Sequence, residues 1–255
     1  MSAASLKGRH AVVTGGGRGI GRAVAAALVG SGATVTVIGR GREALDRAVA
    51  AGDAHGAFVA DVTDHDGVHA AVRDAVARFG PVDLLVANAG AAASAPFLKS
   101  GPEVFRGMLD VNLMGVANAA QAVLPSMTER GFGRIVTVAS TAGLKGYPYV
   151  SAYCAAKHAV IGLVRALALE TARTGVTVNA VCPGFTDTDL VTDSLERIMT
   201  KTGRSRDEAL SEFVKHNPQG RLIDPAEVAE AVLWLCGEGA RSVTGQAIVV
   251  AGGEL

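Results

Sequence analysis

His10-Ala-Val-Val-Thr-Gly-Gly-Gly-Arg-Gly-Ile-Gly21 decides how this chain is read. Residues 10–14 are a short apolar, β-branched run and read as a strand. Residues 20–30 carry the apolar periodicity of a helix. Between them, glycine stands at 15, 16, 17, 19 and 21. Glycines let a backbone approach a pyrophosphate closely, and a helix N-terminus adds free N–H groups and a positive dipole end. A tight turn would explain the glycines alone, but not a strand before them and a helix after. The spacing is G-x-x-x-G-x-G, from Gly15, Gly19 and Gly21, with Gly17, Arg18 and Ile20 filling the turn.

Working outward, short apolar runs alternate with longer Ala-rich, amphipathic ones. Strands are predicted at 10–14, 34–38, 56–60, 82–87, 135–139, 176–181 and 246–251. Helices are predicted at 20–30, 43–51, 67–79, 103–129 with a kink at Pro125, 151 to about 174, and 225–236. Glu43 and Arg47 are expected to pair at i,i+4. This alternation predicts a parallel sheet with helices on both faces. No repeat, low-complexity tract or linker marks a second domain, so residues 1–255 read as one.

Composition narrows the function classes. The chain has 255 residues, 49% hydrophobic, and 24 basic against 24 acidic residues. With no basic patch or polybasic arm, neither nucleic acid nor a membrane surface is an expected partner. Cys154, Cys182 and Cys236 lack metal-ligand or disulfide-framework spacing, so a reducing cytoplasm is expected. The N-terminus shows no apolar signal core. No apolar run is expected to reach the ~18 residues of a membrane span. The histidines fit no metal pattern, and no metal is expected.

The second decisive stretch is Ser140-Thr-Ala-Gly-Leu-Lys-Gly-Tyr-Pro-Tyr-Val-Ser-Ala-Tyr-Cys-Ala-Ala-Lys157. Tyr153 and Lys157 share one helical face. Ser140 ends a strand, on the sheet edge where α/β proteins bind ligands. A free phenol titrates near ~10, and a nearby ammonium is expected to lower it. Tyr153 could then exchange a proton with an alcohol oxygen that Ser140 also holds. Tyr147 and Tyr149 have no lysine four residues on and are expected to line the pocket. Trp234 is expected in the core or at a subunit interface.

Thr14-Gly-x-x-x-Gly-Ile-Gly21, Asn88-Ala-Gly90, Asn112, Ser140 and Tyr153-x-x-x-Lys157, in that order, resemble the short-chain dehydrogenase/reductase family along essentially the whole chain. The resemblance implies a Rossmann-type, doubly wound α/β sheet of seven strands in order 3-2-1-4-5-6-7. It implies that Gly15, Gly19 and Gly21 form the pyrophosphate turn and that Asp61 and Val62 flank the adenine. Asn88, Ala89 and Gly90 would shape the wall beside the adenine-side ribose. Asn112 would hold a relay water, Ser140 position the substrate oxygen, and Tyr153 act as acid–base group. Lys157 would lower the tyrosine pKa and bind the nicotinamide ribose. Pro183, Gly184, Thr186 and Thr188 would lie beside the nicotinamide, and the enzyme would be a homotetramer. Two positions depart from the family pattern: Ala87, often Asn, and Thr186, usually aliphatic.

Strand two ends at Gly39-Arg40, without the acidic residue that would accept hydrogen bonds from an adenosine ribose. Arg40 and Arg18 suit a 2′-phosphate, which favours NADP(H), with NAD(H) the alternative. Around residues 172–185 the chain resembles ketoreductases of 3-oxoacyl thioesters and polyketides, and also hydroxyacyl-CoA dehydrogenases. An acyl-thioester or other small-molecule substrate is thereby implied. Residues 187–222 mix Leu190, Val191, Leu195, Ile198, Met199 and Phe213 with charges, as a mobile lid would. Two other readings weigh less. A nucleotide-sensing protein on this fold would lack part of the catalytic set. A sugar-nucleotide epimerase would need a larger C-terminal domain.

Overall fold

Seven parallel strands form one sheet: β1 (His10–Thr14), β2 (Thr34–Gly39), β3 (Gly56–Val59), β4 (Leu84–Ala87), β5 (Gly133–Val138), β6 (Val176–Pro183) and β7 (Ala247–Val250). Their order is β3-β2-β1-β4-β5-β6-β7, as expected. The computed structural model describes residues 5–255, and all their side chains except those of Leu190 and Lys201. Residues 1–4, at the start of the N-terminal stretch read for a signal core, lie outside the described residues.

The helices are α1 (Gly19–Gly30), α2 (Arg42–Ala50), α3 (His65–Phe79), α4 (Pro102–Leu109), α5 (Gly115–Arg130), α6 (Ser151–Thr171), α7 (Asp189–Thr202), α8 (Arg206–Val214) and α9 (Pro225–Cys236). Side chains alternate across each strand, so the sheet feeds two cores. Val12, Leu85, Ile135 and Val178 pack with α3, α5 and α6. Ala11, Val13, Val35 and Val136 pack with α1 and α9 on the other face. Asp224 and Glu227 form a capping box that starts α9, with Pro225 in its first turn. Such a cap satisfies N–H groups that a helix start leaves free. Glu43 and Arg47 pair on α2, with 3.9 Å between charged atoms.

Two expectations need correction. The long helix is not one element kinked at Pro125; that proline sits inside α5. The interruption is a π-helical turn, Asp110–Met114, between α4 and α5. Helix α6 has the length and hydropathy to cross a membrane, contrary to the expected absence of such a run. It carries Lys157, Arg165 and Glu170 and buries Val160, Ile161 and Val164 in a core, as an interior helix does. Trp234, expected in the core or at a subunit interface, is about half exposed, which leaves the second of those readings.

Between β6 and α9 the chain leaves the sheet and returns. Asp187 N donates to Ile223 O and Ile223 N to Phe185 O, both at 2.9 Å. Residues 187–222 thus leave and rejoin the body at one place. Within them, Val191, Leu195 and Ala209 form a small core of their own, joined by Phe185 and Phe213.

Candidate active site

The strand order reverses between β1 and β4, and β1 runs directly into the glycine turn. Gly15 and Gly19 have φ of +67° and +51°, the left-handed region that glycine alone adopts freely. A Cβ at Gly21 would meet Gly15 O at 2.3 Å, so the helix start packs on the turn without room for a side chain. The turn is clamped from β4. Asn88 N and Ala89 N donate to Thr14 Oγ1 at 3.0 and 3.1 Å, and Asn88 Nδ2 donates to Thr14 O at 3.0 Å. Asn88 and Ala89 thus brace the turn, and Thr14 accepts both backbone bonds.

No side chain caps α1, and no acidic residue stands in its first turn. Its first N–H groups are therefore open to an anion, as a pyrophosphate site requires. This fits a dinucleotide. Arg18 and Arg40 lie beside the turn, each about three-quarters exposed. Both face carboxylates: Arg18 Nη1 lies 3.8 Å from Asp189 Oδ2, and Arg40 Nη1 lies 3.6 Å from Asp61 Oδ2. Bonds from Thr63, helped by Arg40, hold the Asp61 carboxyl below its usual range. Val62 is fixed from α5, where Asn118 Nδ2 donates to its carbonyl at 2.9 Å. Gly115 leaves space for the Val62 side chain, since a Cβ there would lie 2.7 Å from it.

The proton-handling residues sit at the same sheet edge. Ser140 follows β5, and its Oγ accepts from Ala142 N at 3.1 Å. Ala139 N donates to Val181 O, so strand pairing continues up to the serine. Tyr153 lies in the first turn of α6 and Lys157 one turn on. The lysine Nζ is buried, donates to Val138 O at 3.0 Å and lies 5.7 Å from the Tyr153 ring centre. The π-turn delivers Asn112 into the same space. A Cβ on Gly90 would lie 2.8 Å from Asn112 Oδ1 and 3.7 Å from Lys157 Nζ. The Asn112 amide is spent on protein: Nδ2 donates to Ala91 O and Met108 O, and Oδ1 accepts from Ala91 N. The π-turn thus interrupts the regular helical ladder at Asn112.

The electrostatics differ from the expectation. Burial raises the Tyr153 phenol above its ordinary pKa, and a hydrogen bond from Ser140 opposes this. The same dry surroundings act on Lys157. Burial pushes its pKa down to about 8. Desolvation penalises the charged form of both groups.

Pro183 ends β6 and Gly184 N donates to Val250 O. Thr186 is buried, and its hydroxyl donates to Gly184 O at 3.0 Å. The hydroxyl that replaces the usual aliphatic residue is therefore satisfied internally. Thr188 caps no N–H of α7, and its methyl would be 3.3 Å from a Cβ at Gly19. The glycine turn, Asn88, Asn112, Ser140, Lys157 and Pro183-Gly184 thus all lie at or just beyond the C-terminal ends of the strands or against them. Tyr149 stands apart, about two-thirds exposed with φ of +66°. Sequence reasoning gave Thr14 no role beyond the motif and missed Gly115 and Asn118; the partners of all three lie more than fifty residues away.

The sequence profile of the family described as "short chain dehydrogenase" matches residues 9–198. The chain belongs to this family. A putative ketoacyl reductase of Streptomyces coelicolor is 41% identical over 95% of each chain. The D-beta-hydroxybutyrate dehydrogenase of Cupriavidus necator is 37% identical over 94% of this chain and 95% of its own. Among solved structures, an actinorhodin polyketide ketoreductase with NADPH superposes with a TM-score of 0.92 and 40% identity, over 96% of this chain and 97% of that one. This short-chain dehydrogenase is accordingly a nicotinamide-dependent oxidoreductase acting between carbonyl and alcohol.

Proposed function

We propose that this enzyme is an NADPH-dependent ketoreductase of 3-oxoacyl thioesters or polyketide-type ketones. The observation that carries the reading is the convergence of Ser140, Tyr153 and Lys157 beside an uncapped, glycine-rich helix start. When bound, the nicotinamide supplies the hydride. Ser140 holds the substrate oxygen, and Tyr153 gives it a proton. Lys157 and backbone oxygen of the π-turn at Asn112 return that proton from solvent. Gly15, Gly17, Arg18, Gly19, Ile20 and Gly21 hold the pyrophosphate side. Gly39 leaves room beside Arg40, which with Arg18 meets the 2′-phosphate. Asp61, Val62, Asn88, Ala89 and Gly90 line the adenosine side, and Pro183, Gly184, Thr186 and Thr188 the nicotinamide side.

In carbonyl reduction Tyr153 acts as the acid, in the protonated form that a phenol holds at neutral pH. The hydroxybutyrate dehydrogenase relative supports a second reading, oxidation of a hydroxyacyl substrate. That reaction needs the phenolate and would gain from alkaline pH. Segment 187–222, with its own small core, is read as the substrate lid. We place the enzyme in the cytoplasm, consistent with three buried free thiols. We read it as a homotetramer, with exposed Leu169 on α6 and Trp234 on α9 facing neighbours.

The test follows NADPH and NADH absorbance with 3-oxoacyl thioesters, cyclic diketones and simple ketones. Turnover of an oxoacyl or polyketide-type ketone with NADPH is expected; none with any ketone overturns the reading. General acid catalysis is worth at least ~10²-fold, so Tyr153→Phe should lose nearly all kcat while NADPH affinity stays close to wild type. A variant that keeps more than about a tenth of kcat removes Tyr153 from its role.

A further inference from the structure

Beyond β7 the chain crosses back over the site. Gly252 passes tightly under Asn217 at the base of the lid: a Cβ there would lie 1.9 Å from Asn217 Oδ1. Two residues later the Glu254 side chain turns inward and is only 2% exposed. Among the described residues its carboxylate has two polar partners, both from the loop after Ser140. Tyr147 Oη donates to Glu254 Oε1 at 2.5 Å, and Lys145 Nζ lies 2.9 Å from the same oxygen. The phenol oxygen is also 2.6 Å from Thr141 Oγ1, directly after the serine. The Lys145 ammonium lies 5.0 Å from the Tyr147 ring centre. Burial and the carboxylate together push the Tyr147 phenol well above its usual range, so it is held as a donor to Glu254 and is no acid for the substrate.

What this network holds is a wall. The Tyr147 ring meets Phe185 edge-on at 6.0 Å and His216 at 5.8 Å, and Phe185 meets Phe213 of α8 at 5.0 Å. Phe185 comes just after Pro183-Gly184, and Phe213 and His216 lie in the C-terminal part of the lid. Tyr147 thus joins the catalytic loop to the lid, and Glu254 fixes where its ring stands. Lys145 would otherwise bring an unpaired cation to the wall. Ser140 is held separately, by strand pairing at Ala139 and by Ala142.

We propose that Glu254 is a positioning residue for substrate selection: its buried carboxylate holds Tyr147 and Lys145 in place and so sets the fit of the ketone, without touching the reacting atoms. The proposal rests on the ketoreductase reading. It predicts a split between KM and kcat that a purely structural residue would not give.

The experiment compares Glu254→Ala, Glu254→Gln, Tyr147→Phe and Glu254→Ala/Tyr147→Phe with wild type. It measures KM and kcat for a linear 3-oxoacyl thioester and a cyclic diketone, NADPH Kd, and hydrogen exchange of residues 141–150. Glu254→Ala should raise KM at least tenfold for one ketone and change the ratio of kcat/KM between the two. Its kcat should stay within about threefold and its NADPH Kd within twofold. Glu254→Gln keeps an acceptor for Tyr147 and should recover part of the KM loss. The double variant should be no worse than the poorer single one, because both break the same bond. Exchange in 141–150 should rise in Glu254→Ala whether or not a ketone is turned over. That separates this proposal from the ketoreductase reading: faster exchange with no ketone turnover in wild type defeats only the latter. Unchanged exchange, or KM within twofold for both ketones, overturns the positioning role. So does an equal loss in KM, kcat and NADPH affinity, which would mark Glu254 as structural only.

Discussion

Replacing Lys157 by methionine should make the enzyme inactive and, at neutral pH, more stable. The native state holds this amine in a dry place, with its pKa pushed down from 10.5 to about 8. The unfolded chain keeps the proton up to its own, higher value. Below pH 8 the wild type therefore carries the full cost of that displacement, about 3 kcal/mol at pH 7 from roughly 1.36 kcal/mol per unit. Between pH 8 and 10.5 the unfolded state binds more protons than the native one, so stability rises with pH as the cost fades. At pH 10 about 1 kcal/mol remains. Methionine fills similar volume without a charge but gives up the hydrogen bond to Val138 O, worth about 1 kcal/mol. The variant should thus gain about 2 kcal/mol over wild type at pH 7 and nearly nothing at pH 10. Urea unfolding of both proteins at the two pH values measures it. A difference that does not move with pH, or a variant less stable at pH 7, refutes desolvation as the dominant influence on Lys157.

The remaining predictions concern cofactor, assembly and lid. Gly39→Asp with Arg40→Ala removes a charge-assisted phosphate contact worth roughly 1.5–3 kcal/mol, or about 10- to 150-fold in affinity. It also strips Asp61 of its ion-pair partner, leaving its bonds from Thr63. NADPH should weaken strongly and NADH improve in kcat/KM; a wild type preferring NADH tenfold defeats the NADP(H) assignment. Light scattering should give a tetramer at micromolar concentration, and a monomer would contradict that reading of Leu169 and Trp234. Hydrogen exchange in α7 and α8 should slow when NADPH and a ketone bind, and identical exchange in free and bound enzyme would deny a lid.

Much of this architecture is legible in local patterns. Strand and helix periods, the glycine turn and the Tyr153/Lys157 spacing are each encoded within a few residues. Strand order and the gathering of Asn88, Asn112, Ser140 and Tyr153 come through resemblance, and the sheet agrees. What stays illegible depends on long-range contact. Tyr147 and Glu254 are 107 residues apart, and nothing near either names the other. The tyrosine pKa escapes the sequence for a related reason. Spacing places an ammonium beside a phenol but does not report how dry the space between strand and helix becomes. Pro125 reads as the break in the long helix because its chemistry is local. The actual break answers to two partners at once.

That break makes the length of the helix count to a single residue. Helix α4 lies against α6, whereas α5 lies against α3 and the sheet. Each added or removed residue turns the remainder of the helix by about 100° and shifts it by about 1.5 Å. The wide turn at Asp110–Met114 works like a keyed coupling between two shafts: it sets the angle at which both can seat. Substitutions along α4 and α5 leave that angle alone. Losing one residue from the turn would let regular hydrogen bonding close up, and the straightened helix would seat one half only by unseating the other. Asn112 stands at the joint, so the error would be felt first where the proton is handled.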